Sequence, residues 1–324
     1  MVLLRSAHAT DDPARDELHL RCFGFAPPAG MWSWKYRENP HGASIEHVIE
    51  DGGAIVAAFA LQPRRVTCAG RTWLAFQAAD AMTAPAAQRR GHYARLLASA
   101  ETEARSRGGA FLCAFGGARS NDSFARAGWR ELRRTRSARA SLRGPRAWWR
   151  ARGARAEFAL VAKERLGAAL AAASRDREQG AGERDAAWLA WRTRSARYRG
   201  FASASGAVAC VEILGARAVL ADLAPGAAWQ REPELWRGLL AALRSSGVEH
   251  AELTLVEGEP LAARAAGAGF RGARRATARP FWWKPLREEL TASTLAGREL
   301  WIRDLDRDAE GLLLRAAAAP EGVA

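Results

Sequence analysis

The alternation of apolar and polar positions changes period repeatedly along the first 130 residues, and each change marks an element. Val2 to Arg5 reads as a short strand. Asp12 and Pro13 then supply a cap and a first helical residue for a helix running towards Phe25. Apolar runs at Ile45 to Glu50 and Ala54 to Gln62 flank Asp51-Gly52-Gly53, a hairpin turn. Val66 to Thr67 and Thr72 to Ala81 flank Ala69-Gly70 in the same manner. Tyr93 to Arg107 has a helical period and stops at Gly108-Gly109. Ala110 to Phe115 is apolar throughout, as a buried strand is, and Ser120 to Ala127 is a short helix halted by Gly128-Trp129. The order β-α-β-β-β-α-β-α predicts an α/β fold on a mixed sheet whose first half is mainly antiparallel.

A similar order returns later in the chain. Trp34-Lys35-Tyr36-Arg37 is echoed by Trp191-Arg192-Thr193-Arg194, and Gly53-Ala54-Ile55-Val56 by Gly206-Ala207-Val208-Ala209. Ala79-Asp80 matches Ala221-Asp222 near a strand end, Leu96-Leu97-Ala98 matches Leu239-Leu240-Ala241 on a helix, and Ala127-Gly128-Trp129 matches Ala268-Gly269-Phe270. Matches in one order, with an offset falling from 157 to 141 residues, describe a duplicated domain whose second copy has shorter loops. The expected division is a first domain over 1–135, a helical connector over 136–184, a second domain over 185–310 and a tail over 311–324. The connector is rich in Arg and Ala, with a helix expected over Phe158 to Ala173 and a break at Gly180-Ala181-Gly182. Arg279 to Lys284 and Glu299 to Asp304 are expected as closing strands, and Ala316 to Ala324 as a frayed end.

Between the strand-like run Leu74 to Met82 and the helix at Tyr93 lies a short basic turn, Gln88-Arg89-Arg90-Gly91-His92-Tyr93. A strand, a glycine turn and a helix N-terminus make a place to hold phosphate: free backbone N–H groups, the helix dipole and the arginine charges all favour an anion. A side chain at position 91 would obstruct close approach of phosphate to the backbone.

Composition narrows the classes. Hydrophobic residues are 48% of the 324, enough for a substantial core. The formal net charge of +14 invites a nucleic-acid reading. Lys stands only at positions 35, 163 and 284, however, and the arginines are spread along the chain without a basic block interleaved with aromatics. That pattern is a solvated basic surface, and it argues against specific nucleic-acid binding. The four cysteines and six histidines are scattered, without CxxC or metal-ligand spacing. No metal is expected, the thiols are expected reduced, and the longest apolar run, Ala54 to Leu61, is too short to span a membrane. The N-terminus does not read as a secretory signal. A cytoplasmic location follows as the expectation.

The turn resembles the hallmark of the GNAT-type N-acetyltransferases, Q/R-x-x-G-x-G/A after the fourth strand, with Tyr93 in place of its last small residue. Thr83-Ala84-Pro85 resembles the V-x-P lead-in, and Phe124-Ala125-Arg126-Ala127-Gly128-Trp129 the Y-x-x-x-G-F ending. The resemblance covers about residues 1 to 135. The second copy keeps the outline and the Gly269-Phe270 ending, but its counterpart of the turn, Gly226-Ala227-Ala228-Trp229-Gln230-Arg231, lacks the motif. The whole chain therefore looks like a tandem acetyltransferase with one degenerate half. Trp34-Lys35-Tyr36-Arg37-Glu38-Asn39-Pro40 also resembles tandem members found with cell-surface polysaccharide genes.

The resemblance implies acetyl-CoA as cosubstrate and a small-molecule primary amine as acceptor, an anionic or sugar-linked one if the basic charge lines a cleft. Backbone N–H groups of Gln88 to Ala94 would cradle the pyrophosphate, with Gln88, Arg89, Arg90, Gly91, His92, Tyr93 and Ala94 forming the turn. Met82 and Thr83 would bond the acetyl carbonyl and pantetheine arm. Asp80 is the candidate base, weighed against a strand carboxylate paired with an arginine. His92 is weighed between a phosphate contact and an exposed helix start, Cys113 between a nucleophile and a buried structural thiol. Trp32, Trp34 and Tyr36 would form an acceptor wall or pack between domains, Trp148-Trp149 and Trp282-Trp283 belong to core or interface, and Ser120 and Asn121 read as helix caps. Where the family often carries a Tyr acid, this chain has Phe124, which cannot protonate a thiolate. A noncatalytic CoA-sensing or interaction module is the alternative, and nucleic-acid binding would show a steep salt dependence.

Overall fold

A computed structural model describes residues 1–68, 71–117, 120–145, 152–174, 181–182, 184–272 and 278–291. The first half lays down β1 (Val2–Ser6), α1 (Asp12–Phe23), β2 (Ile45–Asp51), β3 (Ala54–Cys68), β4 (Arg71–Thr83), α2 (His92–Ser106), β5 (Phe111–Phe115), α3 (Asn121–Arg126) and β6 (Arg130–Ser141). Strands β1 to β4 pair antiparallel in sequence order, and β4 pairs parallel with β5. Two helices sandwich this sheet because its residues alternate between faces. Phe59, Leu61, Phe76 and Ala114 bury against Leu96, Leu97 and Ala100 of α2, while Ala58, Ala60, Ala79 and Met82 bury with Leu18 of α1 on the other face.

Helix α1 ends at Gly24, whose φ of 81° is the left-handed conformation expected of a glycine cap. Its N-cap is Asp11 rather than Asp12. Asp12 lies inside the first turn and its carboxylate takes hydrogen bonds from Arg15 and Arg37, so the acid serves the positive dipole end instead of the cap.

The second half repeats the plan with β7 (Phe158–Val161), α4 (Leu166–Ala173), β8 (Ala181–Gly182), α5 (Ala186–Arg192), β9 (Tyr198–Ser203), β10 (Val208–Leu214), β11 (Arg217–Ala224), α6 (Gly226–Arg231), α7 (Pro233–Ser245), β12 (His250–Val256), α8 (Leu261–Gly267), β13 (Arg271–Gly272) and β14 (Arg279–Pro285). The helix expected over Phe158 to Ala173 starts only at Leu166. Phe158–Val161 instead pairs with β9, an edge that satisfies the strand's backbone groups, and a 3-10 turn over Lys163–Arg165 separates the two. The Lys163 ammonium donates to the carbonyls of Thr193, Ser195 and Tyr198, which fixes that corner.

The two halves exchange strands. The sheet runs β1-β2-β3-β4-β5-β14-β6-β12-β11-β10-β9-β7, so β14, from the far end of the second half, inserts between β5 and β6 of the first. Trp283 of β14 is 1% exposed and packs with Trp73, Phe111 and Leu132 of the first half. Trp282 donates from Nε1 to Asn121 Oδ1 at 3.0 Å, and Lys284 donates to Glu101 at 2.6 Å. Asn121 is thus the partner of an inserted tryptophan, not a helix cap.

A second joint is reciprocal. Trp34 Nε1 donates to the Trp191 carbonyl at 3.1 Å, and Trp191 Nε1 donates to the Trp34 carbonyl at 2.8 Å, with their rings 5.4 Å apart. The two tryptophans echoed in the sequence therefore meet across a local pseudo-two-fold, as isologous contacts do. Trp32 stacks on Tyr36 inside the first half. The expected strand at Glu299 to Asp304, the tail at Ala316 to Ala324, Trp148-Trp149, Ala69-Gly70 and Gly180 lie outside the described residues.

Candidate active site

Strands β4 and β5 run together only from Ala75–Gln77 against Phe111–Cys113. Beyond Gln77, β4 pairs with β3 alone, and its other edge has no strand among the described residues. The divergence coincides with a bulge in which Asp80 and Ala81 face the single residue Phe59, and Asp80 adopts φ 42°. An extra residue in one strand bends it away from its neighbour, and such bulges re-aim side chains at functional sites.

The bulge turns the Asp80 carboxylate onto the α1 face. There it accepts a hydrogen bond from Lys35 Nζ at 2.7 Å and another from the Tyr36 hydroxyl. Burial alone would raise the Asp80 pKa, but the Lys35 charge and the two hydrogen bonds outweigh it and hold the carboxyl below its ordinary value. The partner is therefore a lysine and a tyrosine, not the arginine expected. Lys35 and Tyr36 lie on a single π-helical turn, Ser33–Arg37, and both are buried. The sequence offered Tyr36 for an acceptor wall or for packing between domains; its alternation with Trp32 and Trp34 hid the hydroxyl's role.

Past Thr83 the chain makes a 3-10 turn at Pro85–Ala87, and Gln88 reaches back to the Thr83 carbonyl at 3.3 Å. Arg89 and Gly91 are both left-handed, with φ of 64° and 75°. Such alternation turns successive N–H groups to one side and forms an anion-binding nest. Helix α2 then begins at His92 with no side chain capping it. The N–H groups of Arg89 to Ala94 have no acceptor among the described residues, and the first intrahelical bond runs from Arg95 to the Gly91 carbonyl. A Cβ at Gly91 would meet nothing within 4 Å, so within the protein the requirement for glycine is its φ, not crowding. Arg89, Arg90 and Ala94 are exposed, Arg90 standing 3.9 Å from Asp51, and Met82 is buried beside the bulge.

His92 departs from expectation. His92 is 4% exposed, not an open helix start, and neither ring nitrogen has a partner. It lies on the buried stripe of α2 with Leu96 and Ala100. The Tyr93 ring turns inward, edge-on to Phe59 at 5.7 Å and to Phe124 at 6.3 Å, which leaves the ligand side of the turn clear. Phe124 is buried against Trp129 at 4.7 Å. Cys113 is buried.

The second half carries the same bulge without the same site. Asp222, at the position of Asp80, is fully buried and accepts from Arg184 Nε at 2.9 Å, with a register shift opposite Cys210 and Val211. The counterpart of the basic turn is not a turn: Gly226–Arg231 coils into α6 and buries Trp229. Trp229 is fully buried and donates from Nε1 to the Ala224 carbonyl at the end of β11 at 3.3 Å. Among the described residues no group of His, Cys, Asp or Glu is placed to hold a metal ion, and no helix is long and apolar enough to cross a membrane.

The family model described as an acetyltransferase (GNAT) domain matches residues 4–131, the span that holds the bulge, the divergence and the nest. Over residues 4–131 the chain is similar to a GNAT acetyltransferase domain. No curated protein matches the chain. Among solved structures, the chain is similar to a GCN5-related N-acetyltransferase from Kribbella flavida, at 13% identity and a TM-score of 0.66 over 88% of this chain and 71% of that one. It is also similar to a tandem GNAT protein from the clavulanic acid biosynthesis pathway, at 19% identity and a TM-score of 0.57 over 88% and 98% of the two chains. A probable N-acyltransferase from Enterococcus faecalis V583 aligns at 10% identity and a TM-score of 0.69 over 88% and 73%. At these identities the likeness is one of fold. The chain has the tandem GNAT architecture, with a glycine turn before the helix in its first half and a short helix at the counterpart in its second.

Proposed function

We propose that the protein is an N-acetyltransferase that moves an acetyl group from acetyl-CoA to a primary amine, with its active site in the first GNAT domain. The observation that carries this reading is the row of unbonded N–H groups from Arg89 to Ala94 at the mouth of the β4–β5 divergence. Those groups, the α2 dipole and the exposed Arg89 and Arg90 fit a pyrophosphate, while β4 beyond Gln77 offers an unpaired backbone edge to an extended amide-bearing arm such as pantetheine. Met82 and Thr83 lie on that edge segment and are assigned to the acyl carbonyl and the arm. Asp80 stays ionised beside Lys35 and Tyr36, so it attracts the acceptor's ammonium and takes its proton through water. Its lowered proton affinity favours such a relay over a strong base.

Calorimetric titration with acetyl-CoA tests the reading; a wild-type chain that binds none overturns it. One observation favours a second reading. Phe124 is sealed in an aromatic cluster and cannot donate a proton, which suits a CoA-sensing module that binds without turnover. Thiol release across a panel of amines separates the two: turnover with any of them excludes the sensor.

A further inference from the structure

The two departures from the family pattern, a tyrosine at 93 and a phenylalanine at 124, meet in space. Their rings are 6.3 Å apart and nearly perpendicular, at 77°. The Tyr93 ring is bracketed by Phe59, the residue that faces the bulge, and by Phe124 of α3, which follows β5. It therefore bridges from the β3–β4 side to the β5 side on the α2 face, beneath the point where the two strands part. Asp80, Lys35 and Tyr36 occupy the opposite, α1 face of the same point.

The Tyr93 hydroxyl is buried and has no hydrogen-bond partner. A desolvated, unpaired hydroxyl is costly to keep, and Phe at this position would fill the same space without that cost. Burial also pushes the phenol's pKa up, so it remains protonated across the physiological range. A neutral group held in an apolar setting is a permanent hydrogen-bond donor, as carboxylic acids are when their sites keep them protonated.

We propose that Tyr93 replaces the missing tyrosine at 124: its hydroxyl donates a hydrogen bond to the thioester sulfur of acetyl-CoA as that sulfur departs. This assignment rests on the acetyltransferase reading above. In the step, the amine nitrogen attacks the carbonyl carbon and forms the C–N bond. The C–S bond breaks and its electron pair stays on sulfur. The Tyr93 O–H stabilises the thiolate without giving up its proton, and the two protons that the nitrogen loses, one from the ammonium before attack and one as the amide forms, pass to water near Asp80. A donor of this kind acts only where charge develops, so it raises kcat and leaves ground-state affinity unchanged.

The test compares wild type, Y93F and Y93F/F124Y, each as the full chain. Y93F is expected to bind acetyl-CoA within about twofold of wild type, to lose about 10- to 100-fold in kcat for thiol release, and to melt at the same temperature or higher. Y93F/F124Y is expected to recover part of the lost rate, because it returns a phenol to the neighbouring ring position. A Y93F chain as active as wild type overturns the assignment while leaving the acetyltransferase reading intact. So does a Y93F chain that melts well below wild type, since the hydroxyl would then be bonded within the fold. A wild-type chain that binds no acetyl-CoA overturns both.

Discussion

The inserted strand β14 makes the first domain dependent on the second, and a chain ending at residue 145 exposes that dependence. Removing everything beyond 145 strips β14 from between β5 and β6, where it pairs with five residues on each side. It also removes the burial of Phe281, Trp283 and Leu286, which are 8%, 1% and 9% exposed in the full chain. At roughly 1.5–3 kcal/mol for each large apolar side chain, these three contribute about 5–9 kcal/mol. That is comparable to the whole stability of a typical domain, about 5–15 kcal/mol. The unpaired edges of β5 and β6 add a route to aggregation. The 1–145 fragment is therefore expected to be unfolded or self-associated, as read by circular dichroism, denaturant titration and size-exclusion chromatography. In the full chain, Trp283→Ala is expected to cost about 3–5 kcal/mol. A 1–145 fragment that unfolds cooperatively with a stability within about 1 kcal/mol of the full chain would refute the reasoning, because β14 would then be dispensable.

Three further outcomes are expected. His41 joins the halves: its Nδ1 accepts from the Arg65 N–H at 3.2 Å and its Nε2 donates to Asp185 at 3.1 Å, while burial pushes its pKa down to about 4. Because the unfolded chain binds that proton more readily, stability is full above pH about 6.5 and falls as the pH drops towards 4, by up to about 3 kcal/mol; His41→Gln should flatten denaturation midpoints across this window, and an unchanged slope counts against the assignment. Gly91→Ala should cost only about 1 kcal/mol in folding, from its positive φ, yet weaken acetyl-CoA binding at least tenfold by calorimetry; unaltered affinity removes the nest from the site. Asp80→Asn should lower kcat about 100-fold with little change in acetyl-CoA affinity, whereas a rate within twofold of wild type leaves the carboxylate structural.

Much of the first domain was legible in its pattern because its elements are local. The hairpin at Asp51-Gly52-Gly53 and the glycine stop after α2 follow from turn chemistry and period. The nest was legible for the same reason, since a left-handed glycine, free N–H groups and a helix start are all encoded within a few residues. The partners of Asp80 were not. Lys35 and Tyr36 lie 45 and 44 positions away, and only the packing of α1 and the π-helical turn over the sheet brings them to the bulge. His92 was misread because one residue at a helix start has no periodic context, whereas the folded helix places it on the buried stripe.

The sequence by itself determined the mixed α/β elements, the duplication and the asymmetry between a basic turn at Gln88 to Tyr93 and its counterpart at Gly226 to Arg231. Each is a statement about neighbouring residues or about two stretches of similar order. Tertiary structure decided which strand completes which sheet, which side chains face the divergence, and that the second counterpart coils into α6 and buries Trp229. Strand exchange has no local signature, because β14 offers the same alternation to either half and only complementarity of edges and buried aromatics selects its place.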